Sequence, residues 1–147
     1  MNENNTLQNP RVIIIQKLYG HFISKDSEIL FPKHRYKKFI KDVVNGTIER
    51  KELIEDIIKN KLKDNINVYK TEILIKLMIM AGIYEFMFMH KTPIKVIITE
   101  YLKVSDFFVD DSQKSFLNAI LDKASKISRD YNEWIWNYKQ ILKTFII

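Results

Sequence analysis

The chain has 147 residues, of which 46% are hydrophobic, and it contains no cysteine. This is enough apolar sequence for one compact domain with its own core, and no break in composition suggests a second domain. The lack of cysteine excludes disulfides, thiolate catalysis and cysteine-ligated metals. A formal net charge of +6 favours nucleic acid or another anionic partner, although lysine-rich surfaces also serve solubility.

The amino-terminal segment is polar and reads MNENNTLQNP. A signal peptide needs a basic stretch followed by an apolar run, and this segment has neither, so we expect residues 1–9 to form a flexible arm. The most apolar internal segment is interrupted by Glu72, Lys76 and Glu85. It falls short of the roughly 18 apolar residues that a membrane span requires, and we expect a soluble, cytoplasmic protein.

Apolar residues recur at helical spacing through most of the chain, which predicts an all-α fold. Asn9 and Pro10 are typical of a helix start, and the first helix should run from there to about Phe22. The second helix should cover about residues 33–45 and end at Gly46, and Thr47 should cap the third.

The segment from about Lys70 to Met89 is apolar on nearly all sides, as expected of a central helix. Thr92 and Pro93 predict the start of a further helix that runs to about Val104. The last helix should begin near three residues that can each cap it, namely Asp110, Asp111 and Ser112.

A cluster of cations lies near the start of the second predicted helix and consists of Lys33, Arg35, Lys37, Lys38 and Lys41. It is either a basic patch for an anionic partner or the solvated face of an amphipathic helix. Catalysis finds little support, because the histidines are scattered and no glycine-rich phosphate loop is present. Capping explains Asp106, Asp110 and Asp111 better than metal binding does.

Four segments carry an ordered set of motifs. They are the Gln16–Tyr19 spacing in the first helix, the Tyr84–Phe86 end of the central helix, the Pro93–Glu100 restart and the Phe116–Asp122 close. In this order and at nearly this spacing, the set resembles the NusB family of bacterial transcription antitermination factors. The resemblance covers about residues 10–125.

The resemblance implies a NusB-like domain of about seven helices over residues 10–127. Residues 128–147 extend past the part that matches the family, and their apolar spacing predicts a helical extension. It also implies a function without catalysis or cofactor. The family binds boxA, a short single-stranded element of ribosomal RNA leader transcripts, together with NusE, a small ribosomal-subunit protein. The complex then joins RNA polymerase and suppresses premature termination.

Cationic side chains would hold phosphates, and aromatic and amide side chains would meet unstacked bases. The RNA-binding residues expected from the resemblance are Arg11, Lys17, Tyr19, Lys114, Phe116 and Asn118. The expected partner-binding residues are Glu85, Lys91, Lys95 and Glu100, with Glu85 taken as an exposed charge at the rim of the interface. Without the resemblance, Tyr19 and Phe116 would be read as core packing.

The chain departs from the family pattern at its amino terminus. Family members carry arginines where this chain has Leu7, Gln8 and Asn9, and Arg11 alone remains of that stretch. Met80 stands where another arginine is common, and Thr99 replaces the usual asparagine. These changes favour weak RNA binding by the chain alone. They leave open a helical protein-interaction module of the same fold with weak or no RNA binding.

Two further alternatives concern the rest of the chain. The same fold occurs as the amino-terminal domain of some RNA cytosine methyltransferases, which would need a following cofactor-binding domain. The carboxy-terminal extension has one apolar face, and we expect it to pack on the chain's own domain, with a homodimer or partner contact as the alternative. That face consists of Tyr131, Trp134, Ile135, Tyr138, Leu142 and Phe145.

Overall fold

A computed structural model describes residues 9–25, 28–62 and 71–146. Beyond Arg129 it describes side chains for Gln140, Lys143 and Thr144 alone. The predicted arm, apart from Asn9, and the predicted break after the third helix lie outside the described residues.

The described part of the chain forms six α-helices and contains no strand, so the all-α prediction is confirmed, with six helices instead of about seven. In chain order the helices are α1 (Pro10–Phe22), α2 (Lys37–Glu49), α3 (Lys51–Lys61), α4 (Ile73–Phe88), α5 (Ile94–Ser105) and α6 (Asp111–Ile146).

Helix α4 is the centre of the bundle. Every side chain from Leu77 to Met87 is buried, and the helix packs against all five others. A helix that is apolar on all sides is stable in water only when other helices surround it, because each face must be removed from solvent. The prediction of a central helix is confirmed.

Helix α1 begins as the sequence predicts. The Asn9 side chain accepts hydrogen bonds from the backbone N–H groups of Arg11, at 3.0 Å, and Val12, at 3.4 Å. Pro10 follows in the first turn, where its missing N–H has no helical partner to lose. The first turn of α1 therefore holds Arg11 in a fixed position.

The predicted boundary between the second and third helices is wrong. Gly46 does not end α2 but lies inside it, and Thr47 is buried in the same helix instead of capping α3. The reason is tertiary packing. A Cβ atom at Gly46 would overlap the ring of Tyr84 on α4, so glycine is required there for close approach of the two helices.

The start of α5 differs slightly from the prediction, whereas the start of α6 agrees with it. Pro93 occupies the N-cap of α5, and no side chain caps that helix, so the predicted Thr92 cap is wrong. At α6 the cap comes from Asp110, whose carboxylate accepts the backbone N–H of Gln113 at 2.9 Å. That hydrogen bond is the main cause that lowers the pKa of Asp110.

Helix α6 continues without interruption past Ser128, where the extension was predicted to begin. The six residues of the predicted apolar face of this extension have side chains outside the described residues. Their packing therefore remains a prediction.

Candidate nucleic-acid interface

Tyr19 lies on α1 beside an open cleft, and 38% of its surface is exposed. The cleft has a volume of about 410 Å³. It is lined mainly by apolar side chains, with two polar residues, and the set is Ile15, Gln16, Tyr19, Glu72, Ile73, Leu74 and Phe108. We call this the Tyr19 cleft. Two aromatic rings and a carboxamide around an open, mostly apolar space provide the groups that contact unstacked bases in RNA.

The walls of the Tyr19 cleft come from α1, the start of α4 and the turn between α5 and α6. Polar side chains at the start of α6 connect it to the start of α4 and to the end of α5. Glu72, at the start of α4, accepts a hydrogen bond from the side chain of Gln113 near the start of α6. Lys114 forms an ion pair with Asp106, at the end of α5, with 2.8 Å between Nζ and Oδ1. These bonds hold the turn that carries Phe108 against the first turn of α6.

A second open cleft lies on the other side of α1. It has a volume of about 420 Å³ and is lined by Gln16, Lys17, Gly20, His21, Glu28, Ile29 and Leu30. We call it the Lys17 cleft. Gln16 lines both clefts, so the two adjoin across α1.

Arg11 does not lie on either cleft. Its guanidinium donates two hydrogen bonds to the Glu85 carboxylate, at 3.0 Å from Nε to Oε2 and 2.7 Å from Nη2 to Oε1. Arg11 is 8% exposed and Glu85 is 0% exposed. The guanidinium also packs over the rings of Phe39, at 5.0 Å, and Tyr101, at 5.6 Å.

The burial of this pair corrects the sequence interpretation of both residues. Glu85 was expected as an exposed rim charge, which is wrong, because α4 is surrounded by other helices at this point. A buried carboxylate requires a partner that satisfies its oxygens, and Arg11 does so in bidentate geometry. The motif residues Tyr84 and Glu85 therefore both act in the described structure as packing and pairing groups between helices.

The pair also sets the electrostatics of its surroundings. Burial alone would lower the pKa of Arg11, but the hydrogen bonds and charge of Glu85 outweigh it and the net shift of that pKa is upward. Burial raises the pKa of Tyr101 well above its ordinary value, and the negative charge of Glu85 adds to the increase. Arg11 is therefore charged and Tyr101 is neutral at physiological pH.

The other predicted RNA-binding residues lie on α1 and α6. Tyr19 and Lys17 line the two clefts, and Lys114 lies beside the turn that carries Phe108. Phe116 is half-buried against the core, and Asn118 is exposed two residues further along α6. The structure thus leaves Lys17, Tyr19, Lys114 and Asn118 accessible at least in part, whereas Arg11 is enclosed.

The other predicted partner-binding residues lie around the start of α5. Lys91 and Lys95 are exposed, and Lys95 lines a cleft of about 460 Å³ together with Phe86, Met89 and Arg129. Glu100 is half-buried and accepts a hydrogen bond from Lys103 at 3.2 Å. Three of the four predicted partner-binding residues are thus accessible, and Glu85 is not.

Phe108 and Glu72 line the Tyr19 cleft but were not predicted as site residues from the sequence. Phe108 lies in the turn between α5 and α6, within a run of three apolar residues, Phe107 to Val109. Such a run in a turn is a signal for a surface-lining role, since turns are usually polar. Glu72 gave no comparable signal.

Within the described ranges, no helix is long and apolar enough to cross a membrane. Among the same residues, no group of three or more histidine, aspartate or glutamate side chains is placed to hold a metal ion.

The fold and the two clefts define a small all-α protein with an accessible aromatic and polar surface on α1. The model of the NusB family matches residues 8–126, which is most of the chain. The protein therefore belongs to the NusB family.

Individual relatives agree with this assignment. The transcription antitermination protein NusB of Mesorhizobium japonicum is 25% identical over 89 residues, which are 60% of this chain and 57% of that protein. The protein of the same name from Bradyrhizobium diazoefficiens is 27% identical over 88 residues, which are 60% of this chain and 53% of that protein. The matched region thus spans little more than half the length of these relatives.

A solved structure shows the same fold. The structure of T. maritima NusB superimposes on this chain with a TM-score of 0.69 at 22% sequence identity. The superposition covers 81% of this chain and 89% of that chain. The predicted fold class is thereby confirmed.

Proposed function

We propose that this protein is a cytoplasmic transcription antitermination factor without enzymatic activity. In this proposal it binds boxA-type single-stranded RNA of ribosomal RNA leader transcripts together with NusE, and the complex joins elongating RNA polymerase. Family membership and the names of the relatives support the antitermination role. The RNA and the NusE partner are proposed from the resemblance and from the surface of α1.

The Tyr19 cleft is the observation that carries the proposal. Exposed Tyr19 and half-buried Phe108 line one open space with Gln16 at its edge. Stacking of a base on an aromatic side chain contributes about 1–3 kcal/mol per base, and a single-stranded RNA offers unpaired bases for it. Gln16 can both donate and accept hydrogen bonds to a base edge.

Two lysines next to the clefts supply charge for phosphates. Lys17 lines the neighbouring cleft, and Lys114 lies near Phe108. Lys114 is 37% exposed and already paired with Asp106, so an RNA phosphate must compete with that carboxylate. Because Arg11 is engaged by Glu85, few cations remain near the Tyr19 cleft, and we expect modest RNA affinity for the isolated chain.

A partner protein would add contacts at the start of α5. Lys91 and Lys95 are exposed there, and Phe86 and Met89 give the neighbouring cleft an apolar floor. An apolar centre with a charged rim is typical of protein interfaces. We propose this surface, together with Glu100, for NusE.

One observation favours a second candidate function. Arg11, the sole remaining member of the amino-terminal arginine stretch, is enclosed in the bundle. A chain with so few cations near its aromatic cleft could act as a protein-interaction module of the same fold with weak or no RNA binding.

Tyr19→Ala tests the RNA-binding proposal. We expect it to weaken binding of a boxA-type RNA by about 1–3 kcal/mol, since it removes one stacking platform. Tyr19→Phe is the matched control and should bind like the parent, because it keeps the ring. Fluorescence anisotropy gives the affinities, and melting curves check that both variants are folded. Equal binding by the alanine variant and the parent would contradict a role for the Tyr19 cleft.

A further inference from the structure

A concentrated positive charge lies beside the proposed RNA surface and has no role in the function described above. Residues 33–41, which we call the basic segment, contain Lys33, Arg35, Lys37, Lys38 and Lys41 and no acidic residue. All five cations are exposed. The segment covers the end of the connection from α1 to α2 and the first turn of α2.

The placement of these charges does not serve helix stability. The first turn of α2 contains no acidic residue, and no side chain caps it. Lysines in a first turn interact unfavourably with the helix dipole, and Lys37 and Lys41 repel each other at a spacing of four residues. The salt bridge from Lys38 to Asp42, at 3.6 Å, involves a lysine that is 93% exposed, so it offsets little.

Aromatic side chains are interleaved with these cations. The Arg35 guanidinium lies 5.4 Å from the Tyr36 ring centroid, and the Lys41 ammonium lies 5.8 Å from that of Phe31. Tyr36 is 48% exposed. Cations for phosphates and exposed rings for bases are the two elements of surfaces that bind single-stranded nucleic acid.

The basic segment adjoins the Tyr19 cleft through the Lys17 cleft. Gln16 lines both clefts, and the far wall of the Lys17 cleft is formed by Ile29 and Leu30. Phe31 follows directly and contacts Lys41 of the basic segment. Among the described residues, the exposed large apolar side chains fall mainly along this path and are Tyr19, Ile23, Leu30 and Tyr36, with Val96 elsewhere.

We propose that the RNA strand held at the Tyr19 cleft continues across Gln16 and Leu30 onto the basic segment. Its phosphates contact Lys33, Arg35 and Lys37, and Tyr36 stacks on a second base. This inference rests on the proposed function, since it extends the same RNA path. The basic segment would supply the cations that the amino-terminal stretch of this chain lacks. An acidic protein surface could pair with the lysines, but it has no bases to stack on Tyr36, so the exposed ring favours RNA.

The experiment compares two RNAs and two pairs of lysines. One RNA is a boxA-type oligonucleotide, and the other is extended by about six nucleotides at either end, within the range of known single-strand sites. The test variant is Lys33→Gln with Lys37→Gln. The control variant is Lys59→Gln with Lys61→Gln, which removes two exposed lysines from α3. Anisotropy at several salt concentrations gives affinity and salt dependence.

We expect the parent and the control variant to bind the extended RNA roughly tenfold more tightly than the short RNA at low salt. The test variant should lose this gain, and the slope of its salt dependence should fall by about 1.4, which is about 0.7 for each lost phosphate contact. Tyr36→Ala should reduce the gain, while Tyr36→Phe should preserve it.

Four results would overturn the inference. If the test variant keeps the full gain, or the parent shows none, the RNA does not reach the basic segment, although the proposed function stands. If a glutamate-rich peptide displaces the extended RNA from the parent and loses its binding in the test variant, the segment serves an acidic protein. If the parent binds neither RNA even when NusE is present, the proposed function fails and the inference with it.

Discussion

Arg11 and Glu85 connect α1 and α4 by two hydrogen bonds, and the rings of Phe39 and Tyr101 add α2 and α5 to the contact. Each charge in this pair is buried and depends on the other for compensation. A buried pair adds little to stability compared with apolar side chains of similar size, but loss of one partner leaves a charge without compensation. The pair therefore constrains how these helices meet.

Glu85→Gln should lower the free energy of unfolding by about 3 kcal/mol, because it leaves the Arg11 guanidinium buried without a counter-charge. Glu55→Gln is the control. Glu55 is partly exposed and pairs with Lys76 at 3.4 Å, so its loss should lower the free energy by less than about 1 kcal/mol. Urea denaturation measures both values. Equal effects of the two substitutions would contradict the structural role of Glu85.

The contact between α2 and α4 depends on a glycine. Tyr84 occupies the space where a side chain at position 46 would lie, and its ring also packs against Phe88 with 5.2 Å between ring centroids. The ring is therefore held from two sides. A glycine in the middle of a helix costs about 1 kcal/mol relative to alanine, and the close approach to Tyr84 offsets that cost here.

Gly46→Ala should lower the free energy of unfolding by about 1–3 kcal/mol, since the Tyr84 ring must move to admit a methyl group. Asn45→Ala is the control on the same helix. Asn45 is exposed, and its replacement should raise stability slightly through helix propensity. Thermal melts of the two variants test this. A stabilised Gly46→Ala variant would show that α2 and α4 are less closely packed than described.

These helices also show what the sequence predicts and what it does not. The start of α1, the central position of α4 and the all-α class followed from Asn9, Pro10 and helical periodicity. The end of α2 could not be predicted in this way. Glycine ends a helix where its backbone freedom is used, but it can also lie inside a helix where its small size allows close packing. That distinction at Gly46 depends on Tyr84, which is 38 residues away in sequence and unknown until the fold is known.

Only part of the candidate site could be predicted, because its other residues also depend on contacts between parts of the chain that are distant in sequence. Tyr19 and Lys17 were expected as RNA-binding residues from the resemblance, and both line open clefts on α1. Their role in RNA binding stays a prediction. Glu85 was misplaced because an isolated glutamate is usually exposed, and only its partner across 74 residues explains its burial. Phe108 lines the cleft from the turn before α6. Helical periodicity does not predict where a residue in a turn lies.

The carboxy-terminal part of α6 determines how far the folded domain extends along the chain. We expect the apolar stripe from Tyr131 to Phe145 to pack on the chain's own domain. Truncation after Ser128 should then lower stability by several kcal/mol through lost aromatic burial, with at most an indirect effect on RNA binding. Light scattering and melting curves test this expectation. An unchanged melting temperature, or a parent dimer that becomes a monomer, would show that the stripe serves another contact.

The described part of the molecule presents both proposed binding surfaces on a buried helical centre. The clefts of α1 and the start of α6 provide the proposed RNA surface, and the start of α5 provides the proposed NusE surface. Helix α4 packs against α1, α5 and α6, so both surfaces are supported by the same buried core. In this account the protein joins RNA and NusE as a preformed scaffold, and affinity comes from both together.

The most direct test is the affinity of a boxA-type RNA for this protein with and without NusE. We expect weak binding by the protein alone, because Arg11 is buried and few other cations lie near the Tyr19 cleft. Addition of NusE should tighten binding at least roughly tenfold, which corresponds to about 1.4 kcal/mol of coupling. A boxA RNA with its bases scrambled is the control. The absence of RNA binding in both conditions, or equal binding of the scrambled RNA, would contradict the account.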